Sequence, residues 1–293
     1  ASYNTAIGKD ALGANTTASE NTAVGAYALD ATTTGGTNTA LGYAALSSNT
    51  TAGYNTAVGK AALEANTTGS ENVAVGMAAL DANTTASYGT AVGANALGAN
   101  TTGAENVAMG YQALGTNTTT SSNTAVGHNA LKDNIASDNT AVGRHALYSN
   151  TTGTSSVAVG LNALDAQTTG GYNTSVGYNS LSAITTSNNC VAFGSQAGAA
   201  NTANNLAAFG ANCLDANTSG VDNTGIGYAS LSGNTTASNN TALGSQAGYA
   251  ITTGGTNTCI GAQAGDAITT GSQNVIVGYN CEISAVDGYN QIV

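Results

Sequence analysis

The sequence predicts an all-β chain wound as a single β-solenoid, and three observations carry that prediction. A glycine recurs along the whole chain from Gly8 to Gly278 in 17 copies, spaced 17 residues apart except for two gaps of 16. The nine residues Asn21 to Leu29, reading NTAVGAYAL, recur around that glycine. The Val and Leu positions keep one register throughout, which a disordered tract has no reason to do. A fixed short period outranks other sequence signals. Seventeen residues cannot hold a strand, a crossover helix and two loops, since a βαβ unit needs about 30. Leucine-rich repeats are also longer, at roughly 20–29 residues. A coil of two short strands and tight turns fits, and 17 coils stacked at about 4.8 Å make a rod roughly 80 Å long. Residues 1–293 are therefore read as one continuous repeat domain.

Each coil is read in order from its glycine. Four residues before it stands Asn in 13 of 17 coils, then Thr or Val, then a small residue, then a large aliphatic one such as Ile7, Val24, Leu41 or Val58. Alternation with β-branched members describes a short strand. The glycine permits a sharp bend. Two variable residues follow, then a small residue and Leu, as in Ala62-Leu63, and a turn rich in Asn, Thr and Gly closes the coil. Stacking places like residues over one another, so Asn ladders supply cohesion beyond a thin core. Both 16-residue gaps lose their residue in the turn, at 134–138 and 202–205, where loops tolerate deletion. Leu becomes Gly at Gly198, Gly248 and Gly265. Ile251 and Ile268 replace the turn Asn beside the last two, and Phe193 lies near the first, so lost volume is expected to be refilled. The turn Asn column, including Asn15, Asn49, Asn66, Asn83 and Asn100, is accordingly expected to face partly inward. The small Ala column alternates with Val and Thr, so it is expected to point out of the coil, where its lack of charge predicts cover by other copies of the chain.

Composition excludes several classes. Four cations, Lys9, Lys60, Lys132 and Arg144, stand against 15 acids, for a net charge of −11. Nucleic-acid binding needs clustered Lys and Arg, and so does docking on an anionic membrane. No apolar run reaches the ~18 residues of a membrane span. Hydrophobics reach 41%, but most are Ala, so the core must be narrow.

Candidate chemistry is sparse. Glu64 and Asp81 fall at one turn position in consecutive coils, where a pair of carboxylates offers oxygen ligands to Ca²⁺; the competing reading is solvated turn charge. His128, Lys132, Asp133, Asp138, Arg144 and His145 form the densest polar cluster and are the candidate partner-contact site. Cys190, Cys213, Cys259 and Cys281 are separated by coils or by column, too far for the ~7 Å limit of a disulfide. Tyrosines flank strand and bend, as at Tyr43, Tyr54, Tyr111 and Tyr172, in positions suited to sugar or protein recognition. No catalytic constellation is visible, and the expectation is a protein that is not an enzyme.

The NTAVGxxAL unit resembles the head repeats of trimeric autotransporter adhesins and, more closely, the NTAVGYQAL-type repeats of bacteriophage tail fibres; Asn106–Leu114 reads NVAMGYQAL. The resemblance implies a trimeric, elongated β-roll at a cell surface or on a virion, displaying a face for cell-surface carbohydrate or protein. Neither end shows an evident cap, and Asn290 to Val293 match the start of another coil, from the Asn to the aliphatic position. Open edges predict flanking domains or end-to-end stacking. Three functions compete: a structural and adhesive fibre segment, a self-assembling extracellular filament, and an ice-binding solenoid using the ladder at Thr16-Thr17, Thr50-Thr51 and Thr67-Thr68. Adjacent Thr on a strand point to opposite faces, which disfavours the third.

Overall fold

A computed structural model describes residues 2–293, and every regular element in them is a β-strand. Thr-Ala-Val and its variants form one three-residue strand per coil, 17 in number, from Thr5–Ile7 to Val275–Val277. The chain divides into two compact units, Ala1–His145 and Ala146–Val293. In the first, nine parallel strands end with Thr140–Val142, each paired with the next. In the second, eight parallel strands begin with Val157–Val159. Like residues lie over one another: Val58 pairs with Val75, and Val75 with Val92. Each unit is thus a β-solenoid, with the period that the glycines predict.

The second strand expected in each coil does not form. After the glycine, the chain turns through residues of alternating backbone hand, with Tyr27 at φ 62° and Leu29 at φ 52°, and the same two positions repeat in later coils. Their N–H groups point opposite ways: Tyr27 donates back to the Lys9 carbonyl and Leu29 forward to the Ala45 carbonyl. A left-handed non-glycine residue costs about 1 kcal/mol or more. Leu tolerates it here because that conformation turns its side chain into the core, where Leu29, Leu63 and Leu97 are fully buried. The three coils with Gly in this place keep the same hand, at φ 59° to 62°.

The repeat glycine is fixed by close approach as well as by its φ. A Cβ on Gly76 would lie 2.6 Å from the carbonyl carbon and oxygen of Gly93 in the next coil. Any side chain there would push two coils apart and break the bonds that flank the glycine, such as Gly93 N–H to the Val75 carbonyl at 2.8 Å.

The orientation of the strand reverses the expectation from the sequence. The Ala column is the inside: Ala23, Ala40, Ala57 and Ala74 are wholly buried. The aliphatic and Thr columns face out, with Leu41 and Met109 still 47% and 43% exposed. The cause is the width of the coil. With one short strand and tight bends, the strand's inner residue meets the small residue and the Leu of the bend directly. A Cβ on Gly225, in the Ala column, would sit 2.5 Å from Cys213 Sγ and 3.2 Å from Leu214 Cδ1. Beside a Leu only small side chains fit, whereas Cys259 and Ile276 stand buried in this column next to Gly265, where the Leu is missing. The pattern of small residues records confinement rather than cover by another copy.

Two Asn ladders lie inside each unit; in the first coil Asn4 and Asn15 are half-buried, and from Asn21 and Asn49 onward the ladder Asn are buried. In the turn ladder, the Asn83 amide donates to Asn66 Oδ1 at 2.8 Å, and that of Asn100 to Asn83 at 3.2 Å. In the ladder that precedes the strand, Asn55 Oδ1 accepts the Asn72 backbone N–H at 3.0 Å. The two ladders converge, since the Gly69 carbonyl accepts from Asn55 and from Asn66, each at 2.9 Å. Buried amides of this kind are tolerable only when fully bonded. Where a turn is one residue short, its Asn bonds two residues ahead instead of three, as Asn134 does to Ala136 and Asn201 to Ala203.

Volume is exchanged between columns. Where Leu has become Gly248 and Gly265, Ile251 and Ile268 place their Cδ1 atoms 3.0 Å from where a Cβ would stand. At Gly198 the filling group is Leu206, 2.7 Å from that point, together with Leu181; Phe193 is exposed and does not fill it. The final residues are also out of the expected register. Gln291, rather than Asn290, takes the Asn position and donates its N–H to Asn274 Oδ1 at 3.0 Å, so Ile292 pairs with Val275.

The exchange predicts coupling. Leu97→Gly alone should cost about 3–5 kcal/mol through the cavity it leaves. The pair Leu97→Gly with Asn100→Ile should lose at least about 1 kcal/mol less than the two single changes added together. Chemical denaturation of the four proteins measures the difference, and simple additivity would refute the packing account.

Candidate functional site

Two surfaces stand out once the inside of the coil is assigned. The first is the outward strand face. In the first unit it is built by Ile7, Val24, Leu41, Val58, Val75, Val92, Met109, Val126 and Val142 beside a row of Thr and Val; none of these positions carries a charge. The face of the second unit is likewise uncharged and adds Phe209 stacked on Phe193, ring centroids 5.3 Å apart and 7° from parallel, each about two-fifths exposed. A row of exposed β-branched and aromatic side chains is not a solvated face, which would gather Lys and Glu. Sequence alternation showed that these residues share a side; it held no signal of which side.

The second surface is a furrow in the first unit, beside the bend. The left-handed residue two after each glycine forms one wall, and the position after Leu forms the other. It opens into two notches. One, of about 430 Å³, lies among Tyr27, Asp30, Tyr43, Ser47, Ser48 and Glu64. The other, of about 290 Å³, has Asp81 and Lys132 at the same position three coils apart, with Gly98 and Gly115 between them and Asn95 and Gln112 alongside. The two glycines open the space, because any side chain there would fill it.

The sequence-derived site residues fall as follows. Glu64 and Asp81 line different notches of the furrow, one coil apart. Burial pushes the Asp81 carboxyl above its ordinary range, and the charge of Glu64 adds to this. No group of three or more His, Cys, Asp or Glu side chains that could hold a metal occurs among the described residues. Of the polar cluster, His128 and His145 come together, with ring centroids 5.8 Å apart, and His128 stacks on Tyr111 at 5.4 Å and 27°. Lys132 lines the narrower notch together with Asp81. Asp133 is half-buried in the shortened turn, while Asp138 is exposed at its left-handed position. Arg144 is exposed one position after its glycine. Cys190, Cys213 and Cys259 are buried free thiols, with burial holding Cys213 and Cys259 up at about 12, so they act as small core residues.

The Thr-Thr ladder is committed to the fold through its first member. Thr50 Oγ1 donates to the Thr67 carbonyl at 3.2 Å and Thr67 Oγ1 to the Thr84 carbonyl at 3.0 Å. No helix among the described residues is long and apolar enough to cross a membrane. No protein-family model matches the chain, and no curated protein matches it.

One acid pair escaped the sequence reading because Glu282, the partner of the in-register Asp266, lies in an irregular segment outside the repeat register. Glu282 Oε1 accepts the Ala267 N–H at 3.0 Å beside Asp266. Burial and then a hydrogen bond with Asp266 push the Glu282 carboxyl up to about 7 from its usual 4.5. Its folded value lies above its unfolded one, so the stabilisation is full below about pH 4.5 and is lost as pH rises through 7. Hydrogen-exchange protection of the Ala267 and Gly265 amides should therefore fall between pH 5 and 8, roughly, in the native chain and stay flat in Glu282→Gln. Equal slopes in the two proteins would refute the assignment.

Proposed function

We propose that this chain is a structural segment of an extracellular fibre, of the tail-fibre or surface-adhesin kind, in which copies of the chain associate through the outward strand face. The uncharged, exposed apolar face carries this reading. A chain of net charge −11 repels its own copies wherever acids meet. The strand face is where two copies approach with the least repulsion and the most apolar area to bury. Charge-poor surfaces with Phe, Met and aliphatic residues are the composition of interface cores. The resemblance of the NTAVGxxAL unit to trimeric fibre repeats favours three copies around one axis, which closes the assembly. A fibre of this kind presents its remaining sides to surface carbohydrate or protein and needs no catalytic centre.

A second reading, binding to ordered water at an ice surface, gains one observation from the same face. Thr22, Thr39 and Thr56 stand in register beside Val24, Leu41 and Val58, a regular uncharged array that the Thr-Thr turns do not provide.

Light scattering coupled to size exclusion tests the main reading. The native chain should elute as a discrete trimer, and Leu41→Glu with Val75→Glu should shift it to a monomer with unchanged circular dichroism. A native monomer at every concentration would overturn the reading, and thermal hysteresis by that monomer would establish the ice-binding one. Fibres that lengthen without limit as concentration rises would favour end-to-end filament assembly instead.

A further inference from the structure

The furrow of the first unit holds a second, independent clue. In its wider notch, Tyr27 and Tyr43 meet edge to face, ring centroids 5.8 Å apart at 83°. Asp30 and Glu64 stand at the same position two coils apart, with Ser47 between them at the same position and Ser48 next to it. Beside it, the chain already places an ammonium on one of these two rings. Lys9 Nζ donates to the Tyr27 hydroxyl at 2.8 Å and lies 5.1 Å from the ring centroid. Tyrosine faces and carboxylates together favour cations, and the site lies on a strongly acidic chain.

We propose that the Tyr27–Tyr43 notch binds a protonated amino sugar, as one unit of a linear glucosamine-type polymer lying along the furrow. The ammonium group sits between Asp30 and Glu64, the sugar ring lies against Tyr43, and the ring hydroxyls bond Ser47, Ser48 and the phenols. Hydroxyl-rich walls distinguish a saccharide from a lysine side chain, which would leave the Ser47, Ser48 and Tyr43 hydroxyls without partners on the ligand; the Tyr27 hydroxyl is already bonded by Lys9. An acidic saccharide would meet two carboxylates and is disfavoured. The narrower notch, which begins one coil on at Asp81, adds the amides Asn95 and Gln112 and the Lys132 side chain. This inference rests on the fibre reading only for its source of ligand, a surface polymer.

Calorimetric titration of the full chain with the glucosamine trimer, at mildly acidic pH and low salt, tests it. Binding should weaken by at least about tenfold in Asp30→Asn with Glu64→Gln, and by a similar factor in Tyr43→Ala, which removes the stacking surface and leaves both carboxylates. The N-acetylated trimer should bind at least about tenfold more weakly than the free amine, and so should trilysine. Equal binding by the acetylated trimer, by trilysine or by the variants, or no binding of the glucosamine trimer at all, would overturn the proposal. Oligomeric mass is measured on the same samples. Failure of sugar binding with trimers intact removes the notch assignment alone, whereas a monomeric native chain removes the fibre reading alone.

Discussion

Direct stacking of one coil on the next is the constraint from which the other features of each unit follow. Parallel strands three residues long have few bonds of their own, and an isolated ladder so narrow would not persist. What holds it is repetition along every side of the coil. The strand bonds forward at its start and backward at the glycine that ends it, the bend bonds alternately backward and forward, and the Thr turn bonds forward through hydroxyl and amide. The glycine column sets the distance, because a Cβ at Gly59 would lie 2.4 Å from the Gly76 carbonyl oxygen. No other residue permits the contact, so the period of the chain is the period of that contact.

Buried amides then do what apolar volume cannot. The interior is made of Ala, one Leu per coil and two Asn, so hydrophobic burial per residue is modest. In the regular coils a ladder Asn bonds the neighbouring coil and a turn carbonyl, and the two ladders meet on that carbonyl; at Asn234, where Ile251 follows in the ladder, the buried Oδ1 has no partner. Such a network is specific, because a coil displaced by one residue would strand several buried polar groups at once. Where the ladders are interrupted, some substitutes are polar and keep bonding, as Thr32, Ser156 and Gln167 do, and others are apolar. Leu206 and Cys190 occupy Asn positions, and Gly198 yields its space to Leu206 and Leu181. At Ser175 and Ser180 two hydroxyls bond each other across the same thin core.

A narrow core also explains why recognition falls to the outside. With the interior constrained by packing, variation is freest at the outward strand positions, the residues after the glycine, the position after Leu, and the exposed position five before the glycine, where Glu20, Thr37 and Tyr54 follow one another. Tyr27, Tyr43, Phe193, Phe209, His128 and Lys132 all occupy such places. Each unit is a repetitive scaffold, and its identity is carried by a few positions per coil.

Much of this architecture is legible in the letters themselves. The 17-residue period, the register of Val58 over Val75, the turn deletions and the Ile251 and Ile268 exchanges can be read because stacking converts a spacing into a contact. The tertiary structure alone decides which side of the strand is inside. Period-two alternation separates Ala from Thr and Val but is symmetric between the two faces, and the answer depends on coil width, which is set by the left-handed residues Tyr27 and Leu29. A non-glycine residue at positive φ has no sequence signature strong enough to announce it, so the bend was expected to be a second strand. The furrow was hidden for the same reason: Asp81 and Lys132 lie 51 residues apart in the chain, and only the stacking of three coils and the absence of side chains at Gly98 and Gly115 make them ends of one notch.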